Sequence, residues 1–257
     1  LTFAEPFIFD VMKFMNELAI EDAKSPGTRR RAYADPAWRE KLRSEVTPLF
    51  RQWWDRTTIA WAPSARELEE MPLSEAAAKL GKDPVDLALD LSLDNDLQAR
   101  FRVAVMNFDE KEVAELITDP HTIIALSDAG AHANQLCDAC YSTYLLGHWV
   151  RDKKTFTIEE AVHNLTQRPA EMFGITDRGV LAEGRPADVV VFDPATVGPG
   201  PLKRVYDLPA GADRLVADAN GIDAVIVNGR LVRQNNKDMV AANDKLPGRL
   251  LRHGRAA

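Results

Sequence analysis

The stretch TIIALSDAGAHANQLCDAC, residues 122–140, decides how the rest of the chain is read. A run of β-branched and aliphatic residues stops at Ser127 and Asp128 and gives way to small residues, then His132, Cys137 and Cys140. In parallel α/β folds ligands bind where strands end at their carboxyl side, so a strand over 122–127 delivers Asp128 to such a place. Gly130 and the alanines around it leave room for a substrate or a metal beside the backbone. A carboxylate there can ligate a divalent cation and accept a proton from a water that the cation acidifies. The alternative is that Asp128 caps the helix that follows. Residue spacing leaves both readings open.

Working outward, helix starts are marked by local chemistry. Asp35-Pro36 and Asp83-Pro84 each put an N-cap before a proline at the first helical position. Thr157 and Glu160 form a capping box. Ser74 is a candidate cap with Gly81 as the stop, a helix starts at Asp109, and Pro169 restarts a helix that stops at Gly174. A further helix is predicted over ANQLCDACYSTYLLGHWV, residues 133–150. Strands are predicted at 57–62, 101–107 and 122–127, alternating with helices as parallel βα units do. After residue 175 the character changes. ADVVVFD (187–193) and GIDAVIVNGRLV (221–232) are strands without helices between them, and Asn228-Gly229 signals a type I′ hairpin. These readings divide the chain into an α/β part, residues 1–175, and a β part, residues 176–257.

Composition limits the partners. Apolar residues make up 46% and charged residues 28% of the 257, and the net charge is −7. An acidic chain with one short basic run, Arg29 to Arg31, calls for neither nucleic acid nor an anionic membrane. No apolar run approaches the ~20 residues of a membrane span. Two cysteines form no disulfide scaffold, which points to a reducing cytoplasm. The chain opens on Leu1 rather than Met. The α/β part supplies about half the eight strands of a closed parallel barrel, and the β part only a few of a sandwich, so the chain is expected to be incomplete without an N-terminal portion.

Three segments together carry a resemblance: IIALSDAGAH; TIEEAVHNLTQRPAEMFGITDRGVLAEGRPADVVVFDPATV; and GIDAVIVNGRLV. They resemble the C-terminal half of the metal-dependent amidohydrolases, in the branch of the N-acyl-D-amino-acid deacylases (D-aminoacylases). The likeness is good over roughly residues 95–255 and loose before that, and Gln167-Arg168 departs from many relatives. It implies the distal part of a TIM barrel followed by part of a small β-sandwich. It also implies hydrolysis of a non-peptide C–N bond in an N-acyl amino acid or related small amide. Asp128 is then both the catalytic proton shuttle and a metal-associated carboxylate, and the cofactor a divalent metal, zinc by expectation. The family's other ligands lie upstream. This chain has no H-x-H, and its five histidines, His121, His132, His148, His163 and His253, are scattered. Alone it is expected to be inactive, with the missing N-terminal half of the same protein as its partner and a homo-oligomer left open.

The lesser candidates divide similarly. His132 either binds substrate, or holds Asp128 by a hydrogen bond, or is a loop histidine with a backbone partner. Asn107, at the end of the 101–107 strand, either faces substrate or forms a turn. Cys137 and Cys140, with His132 and His148 near in sequence, imitate a zinc or redox module, although one C-x-x-C lacks the second pair of a standard zinc site. His121 reads as structural and His163 as packing. Phe7, Phe9, Trp53, Trp54 and Trp61 are core residues or an acyl-pocket lining.

Overall fold

The computed structural model describes residues 2–3, 13–46, 53–124, 133–134, 137, 139–241, 243–252 and 255–256. The chain divides into two compact units, residues 1–110 and 111–257.

The first unit is built of helices around a two-stranded ladder. Its elements are α1 (Lys13–Lys24), α2 (Thr28–Ala34), α3 (Pro36–Glu45), β1 (Thr57–Trp61), a 3₁₀ turn (Pro63–Leu68), α4 (Leu73–Leu80), α5 (Pro84–Asp94) and β2 (Arg100–Val103). The two Asp-Pro starts behave as expected. Asp35 accepts the Ala37 N–H at 3.0 Å and Asp83 the Val85 N–H at 2.8 Å, each at a helix whose first residue is proline. α4 starts two residues earlier than its sequence suggests. Pro72 precedes it, Leu73 opens it, and Ser74 lies inside its first turn without capping. Gly81 stops it in the left-handed region, φ 65°.

α5 is the buried element, presenting Val85, Leu87, Ala88, Leu89 and Leu91 to a core that includes Tyr33, Ile59, Leu73 and Phe101. Tyr33 is fully buried, and its hydroxyl donates to the Phe3 carbonyl at 3.1 Å, so burial leaves no polar atom orphaned there. Arg39 and Arg43 reach Asp86 from α3, and Arg39 also pairs with Asp90.

The pairing of β1 with β2 corrects the parallel βα reading of this region. The ladder is antiparallel, in the register Thr57↔Val103, Thr58↔Arg102 and Ile59↔Phe101. Both runs are strands, as their apolar content indicates. Strand direction, however, is set by how the connecting helices return the chain, and short apolar runs carry no record of that. Residues 122–124 of the third expected strand belong to no strand here, and 125–127 lie outside the described residues.

The second unit opens with α6 (Glu110–Thr118), just after Asp109. Of the expected helix over 133–150, the described residues 133–134, 137 and 139–140 are not helical, and the helix runs as α7 (Tyr141–Tyr144) and then as a π-helix (Leu145–Asp152). Its wider turn is read directly from the Lys153 N–H donating to the His148 carbonyl at 2.8 Å. α8 (Ile158–Leu165) carries the full capping box of Thr157 and Glu160. α9 (Gln167–Met172) starts two residues before Pro169, which is tolerated there because first-turn N–H groups have no helical partner.

The strands that follow are β3 (Val189–Phe192), β4 (Gly198–Pro199), β5 (Lys203–Val205), β6 (Arg214–Val216), β7 (Ala219–Asn220), β8 (Ile222–Val227), β9 (Arg230–Gln234) and β10 (Lys237–Asp238). The largest sheet runs β10-β9-β8-β3, all antiparallel; β4 pairs with β7 and β5 with β6. The hairpin turn between β8 and β9 is the one expected, with Asn228 at φ 47° and Gly229 at φ 78°. Asp188 locks it. One carboxylate oxygen accepts the Asn228 N–H at 2.8 Å, and the other pairs with Arg178, whose guanidinium also donates to the Asn228 side chain at 2.9 Å.

Helices and strands of this unit share one core. Leu145, Leu146, Trp149, Phe156 and Ala161 bury together with Val197, and Ile124, Phe192 and Ile222 pack against them. Gly147 is required where the π-helix meets the strand region, since a Cβ there would stand 2.7 Å from the Val197 carbonyl oxygen. The expected 175/176 boundary therefore falls within this unit, where its helices give way to its strands.

Candidate functional site

Asp128 and His132 lie outside the described residues, as does His253. The structure describes what flanks them. On the upstream side, Ile124 packs into the second core beside Val113, Ala114 and Ile117. On the downstream side, the Ala133 carbonyl accepts the Leu215 N–H at 2.8 Å, and the Asn134 carbonyl accepts a donor from the Arg204 guanidinium at 3.0 Å. Arg204 also pairs with Asp213, and both side chains are largely buried. The SDAGAH segment is thus bracketed by an apolar anchor before it and a β-hairpin grip after it.

That hairpin, β5–β6, is dense in charge pairs. Arg214 donates to both oxygens of Asp207 at 2.7 Å each, and Lys203 pairs with Asp218. The Arg214 hydrogen bond holds the Asp207 carboxyl below its ordinary range, and Lys203 does the same for Asp218. Arg214 is in turn raised, first by Asp207 and to a smaller degree by Cys137. This hairpin is weakly marked in the sequence. Its local signal is the Pro209-Ala210-Gly211 turn between two short β-prone runs, but the contact to Asn134 spans 70 residues and has no local signature.

Asn107 is exposed and left-handed, φ 54°, in the turn between β2 and α6, the conformation asparagine tolerates best after glycine. Next to it the Arg56 guanidinium sits 3.2 Å above the Phe108 ring. Trp53 and Trp54 are half-buried, Trp54 against the first core, and Trp61 is exposed; Phe7 and Phe9 lie outside the described residues.

Among the described residues, the cysteines and histidines do not assemble. The Cys140 thiol donates to the Cys137 carbonyl at 3.6 Å. His148 stacks on Tyr144 at 4.7 Å and meets Trp149 edge-on at 5.1 Å. His121 is exposed, with Nδ1 3.1 Å from Asp119. His163 is exposed too, which corrects its reading as a packing residue: its helix buries Ala161 and Asn164 instead. Among the described residues no group of three or more His, Cys, Asp or Glu is placed to hold a metal ion. No helix among them is long and apolar enough to cross a membrane.

Comparison with known proteins bears on what the bracketed segment belongs to. A D-aminoacylase of Alcaligenes xylosoxydans xylosoxydans is 34% identical over 181 residues, covering 70% of this chain and 34% of that protein. An N-acyl-D-glutamate deacylase of the same organism is 33% identical over 202 residues, covering 77% of this chain and 36% of that protein. A D-aminoacylase crystal structure described as defining a novel subset of amidohydrolases aligns at 29% identity with a TM-score of 0.42, over 72% of this chain and 36% of that one. The chain spans about a third of the length of these relatives. The profile of the Amidohydrolase family matches residues 48–233, which takes in the first unit from residue 48 onward, the whole SDAGAH segment and the strands into β9. By that match the chain belongs to the amidohydrolase family.

Proposed function

We propose that this chain supplies Asp128 to an enzyme that hydrolyses the amide of an N-acyl amino acid, of the D series, or a related small amide. The family match across the SDAGAH segment carries the reading, together with relatives that are deacylases of N-acyl-D-amino acids. Asp128 takes the proton from the attacking water and returns it to the leaving nitrogen, because a carboxylate can hold a proton transiently near the reacting atoms. His132 and Asn107 are the proposed substrate contacts, Asn107 from its place at the end of the 101–107 run and His132 from its place beyond the 122–127 run in the sequence reading.

A divalent cation, zinc by its suitability to carboxylate and imidazole donors, would acidify the water and polarise the acyl oxygen. A carboxylate suits such a cation. One carboxylate cannot hold it, since zinc is usually four-coordinate and no ligand cluster forms among the described residues. We therefore assign the remaining ligands, and the rest of the barrel, to an upstream portion of the same protein, and the active species to the two together. A reducing, cytoplasmic setting remains the reading of a chain with two cysteines.

The test is Asp128→Asn in the metal-loaded enzyme. Release of free amino acid from an N-acyl-D-amino acid should fall by ~10²–10⁴, the span of a positioned acid/base, with the thermal midpoint unchanged. Asparagine caps a helix about as well as aspartate. Retained turnover at normal metal content would return Asp128 to the capping role.

A further inference from the structure

The two contacts that follow the SDAGAH segment come from one rung of the β5–β6 ladder. Arg204 and Leu215 are cross-strand partners in that hairpin, in the register Lys203↔Val216, Arg204↔Leu215 and Val205↔Arg214. Leu215 turns its N–H away from β5 to the Ala133 carbonyl, and Arg204 sends its guanidinium to the next carbonyl, that of Asn134. Consecutive backbone acceptors are thus held by one main-chain donor and one charged side-chain donor. Charge-assisted hydrogen bonds are the stronger kind, and Asp213 keeps the Arg204 fork in place.

The hairpin is itself braced. Arg214 spans to Asp207 through two hydrogen bonds and Lys203 to Asp218, while the Leu208 N–H closes the tip onto the Ala212 carbonyl at 3.2 Å. Each exposed pair contributes little alone, but together they fix the hairpin at its tip and its base. Ala133 directly follows His132 and stands five residues after Asp128.

We propose that the β5–β6 hairpin is the positioning element for the segment bearing Asp128, with Arg204 as the positioning residue. This rests on the functional reading of Asp128 given above. A proton-transferring carboxylate must sit within a fraction of an ångström of its working place, and the grip on residues 133 and 134 sets the downstream end of the segment that carries it. Arg204 touches neither substrate nor metal in this scheme; it acts through the backbone.

The experiment compares Arg204→Met and Arg204→Lys in the metal-loaded enzyme. Arg204→Met keeps the stem and removes the donors. It should lower kcat about 10- to 100-fold with KM changed less than about twofold, while amide exchange across residues 125–134 rises about tenfold and exchange in β8 stays put. Arg204→Lys restores a cation and several donors on a single nitrogen, as the single nitrogen Nη1 serves both acceptors here, and should recover most of the lost kcat and protection. Unchanged kcat and unchanged exchange in Arg204→Met overturn the proposal. So does a lysine variant no better than methionine. If Arg204→Met unfolds, Asp213→Asn serves instead, with the same exchange rise expected at 125–134 and the same refutation by its absence. Exchange reports on the grip without reference to chemistry. An active Asp128→Asn enzyme whose 125–134 segment still loosens in Arg204→Met would therefore sink the functional reading alone, whereas an inactive Asp128→Asn enzyme with Arg204→Met unaffected would sink the positioning proposal alone.

Discussion

Two glycines flank β8, and substituting each with alanine separates backbone strain from collision. Gly221 precedes Ile222 with φ 66°, and Gly229 follows Asn228 with φ 78°. At both, alanine must adopt the left-handed region at about 1–2 kcal/mol. A smaller gain from restricting the unfolded chain offsets part of this, leaving about 1 kcal/mol. Around Gly229 nothing lies within 4 Å of the added Cβ, so the estimate ends there. At Gly221 the Cβ would stand 2.5 Å from the Val197 nitrogen and 2.7 Å from the Thr196 carbonyl carbon, all backbone. Val197 is itself 1% exposed, in the core shared with Trp149 and Leu145, so it cannot step aside freely. Overpacking of that kind costs about 1–3 kcal/mol, for a total near 3. Amide exchange of β8 reads both variants on the same strand. At tenfold per 1.4 kcal/mol, Gly229→Ala should speed its slow amides about fivefold and Gly221→Ala about a hundredfold. Equal acceleration, or the larger effect at Gly229, would refute the collision argument.

Two further outcomes follow from local chemistry. Thr157→Ala removes the capping box that joins Thr157 and Glu160 and should cost about 1 kcal/mol, seen as a lower urea midpoint at unchanged slope, with Thr157→Ser close to the parent. Acidification should weaken the second unit. Asp193 accepts from the Ala195 N–H and the Thr196 hydroxyl, and these bonds hold its carboxyl below the ordinary value. A depressed folded-state pKa means stability that is present above the unfolded pKa, about 3.9, and lost as pH falls through the folded one. Urea midpoints measured from pH 7 to 3 should therefore drop at the acid end, and less steeply in Asp193→Asn; parallel curves would count against Asp193 as a contributor.

What could be read from sequence was local. The Asp-Pro starts, the Thr157 box, the Gly81 stop and the Asn228-Gly229 turn each depend on a few adjacent residues, and each stands in the structure. The direction of β1 against β2 was not legible, because pairing sense depends on how the 3₁₀ turn and two helices return the chain over some forty residues. The π-helix was not legible either. The close approach of Val197 to Gly147 within it is likewise a contact across 50 residues, with no local mark. Asp128 was legible as a candidate from the strand-then-small-residue pattern, whereas the Arg204 grip on Asn134 was invisible. A guanidinium on a short, charged hairpin looks like any solvated surface group until its distant acceptor is known.

The shared core of the second unit bears on how such proteins can be recombined. A chimera cut at 175/176, where helices give way to strands in the sequence, would take Leu145, Trp149 and Phe156 from one parent and Val197, Phe192 and Ile222 from another. Those side chains interlock, and Gly147 and Gly221 each admit one particular backbone neighbour. A crossover near residue 110 would transfer that interlocking set whole, along with the hairpin and the Ala133-Asn134 pair it grips. Swapping specificity among relatives by exchanging the strand region alone should thus yield misfit cores, and the natural cassette for inheritance is the entire stretch from α6 onward.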